Sequence, residues 1–366
     1  MFKSPYYSLN KINKINAHYY IIFGERSNGK TYALLKQSVE NYVKRGEQSV
    51  YLRRWPEDMV GKRGQLLFSN LVFNGEIKKL THGTWTDVYY YASKWFLCRY
   101  EDNVRICDEK PLLYGMSISN MEHDKSISYP NVTTIIFDEF ISRTMYLTDE
   151  FVLFENVLST IIRDRNNVKI YMLGNTVNKY GCPYFREMGL TNIKNQKPGT
   201  IDTYKYGESG LVVAVEFTEP MKEGKQSDVY FAFNNPRLQM ITGSKGIWEM
   251  NLYPHCPMKY RPKDIVFTYF IKYEGNVLQC EIISRDGCIF TFIHPKTTEL
   301  KNTDHDLIFD TEYNPRPNYR RKITKPTDNI TSKICEFFRN EKVFYSDNEV
   351  GEMVRNYVLW CASAKD

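Results

Sequence analysis

Eight residues near the N-terminus carry the most specific chemical signal in this chain. The run "GERSNGKT", Gly24 to Thr31, fits the spacing G-x-x-x-x-G-K-[ST] without deviation. In such a segment Gly24 and Gly29 let backbone N–H groups converge on the β-phosphate of a nucleotide, at the positive end of the helix that follows. Lys30 reaches the β- and γ-phosphates, and the Thr31 hydroxyl ligates Mg²⁺. Gly24, Ser27, Asn28, Gly29, Lys30 and Thr31 are therefore the expected nucleotide contacts, with ATP and Mg²⁺ as the implied cofactors. The bland alternative is an ordinary strand–turn–helix connection. An apolar strand before the motif and a helical pattern after it favour the nucleotide site.

A second cluster sits in "TIIFDEF". Four mostly β-branched or aromatic residues deliver Asp138 and Glu139 to the end of a buried strand. Asp138 would hold the Mg²⁺ shell with Thr31, and Glu139 would polarise an attacking water as general base. A surface turn with two acids is the competing reading, and the phosphate loop upstream weighs against it. Asn175 closes the strand "KIYMLGN", where a polar sensor of the γ-phosphate would stand; asparagine is also a common turn residue. Arg163 and Arg165, in "TIIRDRNN", end a helix, where cations also complement the helix dipole. Their functional reading is an arginine finger reaching a neighbouring subunit's γ-phosphate, with Arg163 preferred.

The elements that must position these groups follow from periodicity. "HYYIIF" (18–23) reads as a buried strand, "KTYALLKQSVENYVKRG" (30–46) as a helix stopped by Gly46, and "QSVYLRR" (48–54) as the next strand. Between 60 and 110 the pattern weakens, with "DVYYYA" and "WFLCRY" as short strands. Residues 133–140 form a strand, 149–164 a helix, and 167–175 another strand. Strands alternating with helices of this length predict a parallel sheet with right-handed crossovers. A polar, Gly/Pro-marked stretch after 195 suits a connecting region. From 264 three β-rich runs are separated by "EGN" and "RDG", which predicts an antiparallel meander. Two helices follow, opened by the capping residues Asp328 and Asp347. The expected organisation is an α/β ATPase domain over 1–195, a linker over 196–260, and an α+β domain over 261–366.

Composition bounds the rest. The 366 residues are long for one core, and 42% hydrophobic with 25% charged residues is ordinary for a globular chain. The net charge of +6 permits a polyanionic partner without requiring one. Eight cysteines without a C-x-x-C pair argue against a zinc site and for free thiols in a reducing cytoplasm. The N-terminus lacks the apolar core of a signal peptide, and no apolar run of ~18 residues indicates a membrane span. A cytosolic protein is the expectation.

The blocks "GERSNGKTYA", "EQSVYLRR", "YPNVTTIIFDEF" and "IIRDRNNVKIYMLGNTV" occur in this order over residues 18–180. Together they resemble the DNA-packaging ATPases of small tailed phages of the phi-29 type. The resemblance implies a P-loop NTPase of the additional-strand, catalytic-glutamate (ASCE) class, followed by a domain like a degenerate RNase H-type nuclease. It implies a ring, a pentamer, at the portal of an empty procapsid in the host cytoplasm. Such a ring drives double-stranded DNA inward with ATP, and in some phages it docks on a packaging RNA. By position, Lys30 and Thr31 match the family's phosphate loop, Asp138 and Glu139 its acidic pair, Arg163 its trans-acting arginine, and Arg53 and Arg54 its "RR". Where the family has a basic residue two positions later, this chain has Pro56.

Two other function classes compete. One is an ATP-dependent nucleic-acid-binding assembly switch without motor activity, against which Glu139 argues. The other is a terminase-like packaging nuclease, whose two-metal chemistry needs converging carboxylates, including one inside the first strand. "IVFTYFIKY" has none. Inactive nuclease-like folds can still grip nucleic acid, and "NPRPNYRRKITKP" (314–326) offers Arg316, Arg320, Arg321, Lys322 and Lys325 for salt-sensitive phosphate contact. A solvated loop is the alternative there.

Overall fold

The structure is a computed structural model that describes residues 7–24, 28–123, 128–142, 146–147, 149–175, 182–219 and 253–363. It divides into two compact units. The first holds the chain up to residue 248, apart from 143–148 and 178–182; the second holds those two pieces and 249–366.

The first unit is built on one large sheet. Its strands are β1 (Tyr19–Gly24), β2 (Gln48–Arg53), β3 (Asp87–Tyr91), β4 (Lys94–Glu101), β5 (Val104–Cys107), β6 (Leu113–Ser117), β7 (Val132–Asp138), β8 (Lys169–Asn175), β9 (Thr200–Tyr206) and β10 (Leu211–Phe217). They run in the order β3-β4-β6-β2-β7-β8-β1-β10-β9, with β5 on β4. From β6 to β10 every pairing is parallel; the antiparallel pairings lie at the two margins. Strands covered on both faces must be apolar throughout rather than alternating, which is why "YIIF" and "TIIF" are unbroken apolar runs. Helix α1 (Lys30–Arg45) ends where the sequence says it should: Gly46 takes the left-handed backbone, and its N–H caps the Tyr42 carbonyl at 2.8 Å.

Each face of the sheet has its own core. Tyr20, Ile22, Tyr51, Ile136 and Leu173 pack on one face against Leu34, Leu35 and Val39 of α1. Three short helices follow, α2 (Lys62–Leu66), α3 (Ser69–Phe73) and α4 (Glu76–Leu80), and the last two contribute Leu71 and Ile77 to the same core, through a region whose sequence pattern is weak. On the other face Phe23, Phe137 and Phe140 meet Phe154 of α5 (Glu150–Ile162) and Tyr184 and Phe185 of α6 (Pro183–Glu187). Helix α5 buries Phe154, Val157, Leu158 and Ile161, the stripe of a one-sided helix.

The expected linker from residue 196 is corrected. Thr200–Tyr206 and Leu211–Phe217 are strands, and β10 pairs in parallel with β1 from Val213 to Phe217. The Gly/Pro-rich positions read as linker are the turns around this hairpin. Residues 220–252 of that expected linker lie outside the described residues.

The second unit carries β11 (Ile265–Tyr273), β12 (Asn276–Arg285), β13 (Cys288–Pro295), β14 (Ile308–Asp310), β15 (Tyr319–Arg320) and β16 (Val343–Tyr345). The expected meander is present, with left-handed backbone at 274–275 and 286–287 in both turns. The sheet order is β15-β14-β11-β12-β13-β16, and β14, β15 and β16 join in parallel. Helices α7 (Asn329–Arg339) and α8 (Asn348–Ser363) bury Ile334, Val350, Val354 and Tyr357 with Tyr269, Ile271 and Cys280 of the sheet. Asp328 and Asp347 cap them, accepting the N–H of Thr331 at 2.8 Å and of Val350 at 2.9 Å.

A polar cluster on this second sheet titrates. Glu281 is buried and accepts from Tyr260 at 2.7 Å and Gln279 at 2.6 Å, with His294 at 3.5 Å. Burial alone would raise the Glu281 pKa, but the hydrogen bonds from His294, Tyr260 and Gln279 bring it below the usual value. The hydrogen bond to Glu281 raises the pKa of His294, against its burial. The His294 contribution to stability is complete below its unfolded pKa of about 6.5 and is lost as pH climbs through the raised folded value. That of Glu281 is present above about 4.3 and lost as pH falls through the lowered one. Hydrogen exchange in β12 and β13 should therefore be slowest relative to its intrinsic rate at mildly acidic pH and speed up above neutrality. In His294→Gln the alkaline limb should flatten.

Candidate functional site

Lys30, Thr31, Asp138, Glu139 and Asn175, five of the predicted site residues, come together at the C-terminal ends of the parallel strands. The register sets Gly24 of β1 beside Asn175 of β8, and Asp138 of β7 beside Leu173 of the same strand. β8 thus lies between the strand of the phosphate loop and the strand of the acids. A cleft of about 630 Å³ opens there, lined among others by Asn28, Lys30, Thr31, Asp138, Glu139 and Asn175.

Gly29 caps α1 with φ 91°, a left-handed backbone that suits glycine, and so turns the chain into the helix. Lys30 is buried and directs Nζ back to the Gly24 carbonyl at 3.4 Å. The Thr31 hydroxyl donates to Asp138 Oδ2 at 2.9 Å. A hydroxyl and a carboxylate converging on one point are hard oxygen donors of the kind Mg²⁺ takes, so this pair fits the expected metal shell. Ser27, an expected nucleotide contact, and Arg26 lie outside the described residues.

Glu139 follows Asp138 with φ 58°, a left-handed backbone uncommon for a glutamate. The turn has a structural reason. It lets the Phe140 N–H donate to the Leu173 carbonyl at 3.1 Å while Phe140 packs on Tyr184 beneath the sheet. It also leaves the Glu139 side chain about half exposed at the cleft, where a base for water must stand.

The two arginines at the end of β2 frame this turn from opposite faces. Arg53, on the face of Tyr51, donates to Glu139 Oε2 at 2.6 Å and lies 3.3 Å from Asp58. Burial opposes its charge, but the Tyr51 hydroxyl, Asp138 and Glu139 outweigh it and drive its pKa upward. Tyr51 donates to Asp138 Oδ2 at 2.9 Å, and burial, reinforced by Asp138, pushes its own pKa well up. Arg54 is buried and forks onto Glu150 of α5 at 2.7 and 2.8 Å; it also donates to the carbonyls of Glu139 at 3.3 Å and Phe140 at 2.8 Å. Tyr184 adds a hydrogen bond to Glu150 at 2.8 Å. The "RR" pair was legible in the sequence; Tyr51, Glu150 and Tyr184 were not, because nothing local links them to the acids.

The two candidate finger residues separate. Arg165 is spent within its own chain, donating to the carbonyls of Pro130 at 3.0 Å, Val132 at 2.6 Å and Ile161 at 2.6 Å. Arg163 is exposed at φ 50° after α5 and does not line the cleft of its own chain. In the second unit the residues of the basic strip have partners within the chain: Arg316 pairs with Asp304 at 2.8 Å, Arg320 with Asp328 at 3.0 Å, Arg321 stacks over Trp360 at 5.4 Å, and Lys322 is buried. Internal partners and packing engage most of the cations expected to meet phosphates. Inside β11, where a nuclease needs an acid, Lys272 stands 3.7 Å from Asp310 of β14.

A family model described as podovirus DNA encapsidation protein (Gp16) matches residues 1–197, more than half of the chain. The chain belongs to this DNA-encapsidation family. Among relatives of the encapsidation chain, the DNA packaging protein of Bacillus phage B103 is 29% identical over 211 residues, covering 56% of this chain and 57% of that protein. That match spans little more than half the relative's length. The DNA packaging protein of Bacillus phage PZA is 26% identical over 299 residues, 79% of each. A solved chain of the bacteriophage Phi-29 viral genome packaging motor assembly superposes with a TM-score of 0.57 at 17% identity, covering 97% of this chain and 100% of that one; it shares the fold.

Removing one partner of the buried Arg54–Glu150 pair leaves an uncompensated charge under the acidic turn. Arg54→Met should lower stability by about 3–5 kcal/mol. The double variant Arg54→Met/Glu150→Leu should recover most of that loss in urea unfolding.

Proposed function

We propose that the chain is an ATP-driven motor that moves double-stranded DNA into a phage procapsid, hydrolysing ATP between subunits of a ring. The observation that carries this reading is the single cleft shared by Lys30, Thr31, Asp138, Glu139 and Asn175, with Thr31 and Asp138 at hydrogen-bond distance. Family membership and relatives named DNA packaging protein supply the direction. Bound Mg²⁺ would supply charge neutralisation at the β- and γ-phosphates, held by Thr31 and Asp138. Lys30 binds the same phosphates, Glu139 orients and deprotonates the water, and Asn175 senses the γ-phosphate.

The insertion of β8 between β1 and β7 supports the ASCE class. A meander extended by parallel strands supports an RNase H-like second unit, and Lys272 against Asp310 supports its being vestigial as a nuclease. The partners this reading assigns are DNA, further copies of the chain in a pentameric ring, the portal of the procapsid and a packaging RNA, met at the portal vertex in the host cytoplasm.

Glu139→Gln should bind ATP like the unaltered chain yet lose hydrolysis by at least 100-fold, within the range for a general base. Hydrolysis that persists in Glu139→Gln would sink the assignment. Arg163 acts in trans on this reading: Arg163→Ala should keep ATP binding and lose turnover. Mixing it with Lys30→Ala subunits should restore part of the rate, since each supplies what the other lacks. Mixtures no faster than either parent would rule out the shared site.

A further inference from the structure

The phosphate loop is fastened from far outside its own motif. Thr218, directly after β10, accepts a hydrogen bond from Asn28 Nδ2 at 3.0 Å across 190 residues of chain, and both side chains are buried. Its N–H donates to the Phe23 carbonyl at 2.9 Å, carrying the β1–β10 pairing one step further. The same hydroxyl fills the space beside Gly24, where an added Cβ would lie 1.9 Å from Thr218 Oγ1. One side chain therefore touches the first and fifth residues of the motif. Asn28 Oδ1 in turn accepts the Lys30 N–H at 3.3 Å, and its carbonyl accepts the Tyr7 N–H at 2.9 Å. Tyr7 completes the brace by donating to Glu216 Oε2, on β10 itself, at 2.6 Å.

We infer that Thr218 is a positioning residue for the phosphate loop. Its hydroxyl holds Asn28 and stands against Gly24, so that these two positions of the motif are fixed before a ligand arrives. The inference rests on the nucleotide reading above. A glycine-bearing loop has many conformations open to it, and ordering it on binding would subtract from affinity. Anchoring both ends on the rim of a parallel sheet removes that cost in advance. Gly24 is then required for a second reason besides loop geometry, because no larger residue fits beside Thr218. Valine has the shape of threonine but no acceptor, and would leave the Asn28 amide buried without a partner.

The test is binding of a non-hydrolysable ATP analogue with Mg²⁺ to the full chain, by calorimetry. Thr218→Val should weaken binding about tenfold, the loss expected when a buried amide loses its acceptor. Thr218→Ser, which keeps the hydroxyl, should restore affinity to within about twofold, and Thr218→Ala should behave like Thr218→Val. If Thr218 acts through Asn28, Asn28→Ala combined with Thr218→Val should be no weaker than the weaker single variant. Unchanged affinity in Thr218→Val and Thr218→Ala, a serine variant as weak as the valine one, or fully additive losses would each overturn the inference. An unaltered chain that binds no analogue would overturn the ATPase reading and this inference together. Binding by the unaltered chain with no effect at Thr218 would overturn only the latter.

Discussion

The backbone register of β1, β8 and β7 sets Gly24 beside Asn175 and Asp138 beside Leu173, and the chemistry of the first unit hangs on that register. Side chains along a strand alternate between faces, so Ile136 and Asp138 share the face on which α1 lies. That is how the Asp138 carboxylate meets the Thr31 hydroxyl at 2.9 Å. A slip of one residue would carry Asp138 to the opposite face, into the aromatic layer of Phe140, Phe154 and Tyr184. The burial of unbroken apolar runs on both sides resists such a slip, because every core side chain would have to change sides with it. Packing and the placement of these polar groups are thus one constraint.

Charge is the second constraint. Asp138 and Glu150 are buried beside the sheet, with Glu139 half exposed next to them, and isolated carboxylates in a buried setting are costly. Two adjacent arginines answer this from opposite faces, Arg53 toward Glu139 and Arg54 toward Glu150. Their roles differ because their surroundings differ. Arg54 is planar, buried and bidentate, and it also holds the carbonyls of Glu139 and Phe140, so it shapes the turn. Arg53 holds a carboxylate that is half exposed, so that contact is the more easily exchanged of the two.

What the sequence made legible was local. The phosphate loop, the Asp-Glu pair, the stop at Gly46, the helix caps and the meander turns each depend on a few consecutive residues, and each is where the sequence places it. What it hid was long-range. "LVVAVEF" was passed over as part of a linker because Gly/Pro turns flank it, yet it is the strand against β1. Thr218 and Tyr51 have no spacing relative to the motifs they support, since the fold alone brings them there. The partners of the basic strip were hidden for the same reason. A run of arginines reads as a surface for phosphates until the acids at 304 and 328 and the ring of Trp360 are folded onto it.

That strip bears on how the second unit could meet DNA. Counterion release requires cations that give up only water and salt on binding. Arg316 and Arg320 would instead have to leave carboxylates at 2.8 and 3.0 Å, which offsets part of any gain at a phosphate. Lys272 is likewise drawn toward Asp310 and the ring of Tyr319. On the reading proposed above, contacts between this unit and DNA phosphates would be weak ones, of the kind a moving duplex exchanges readily.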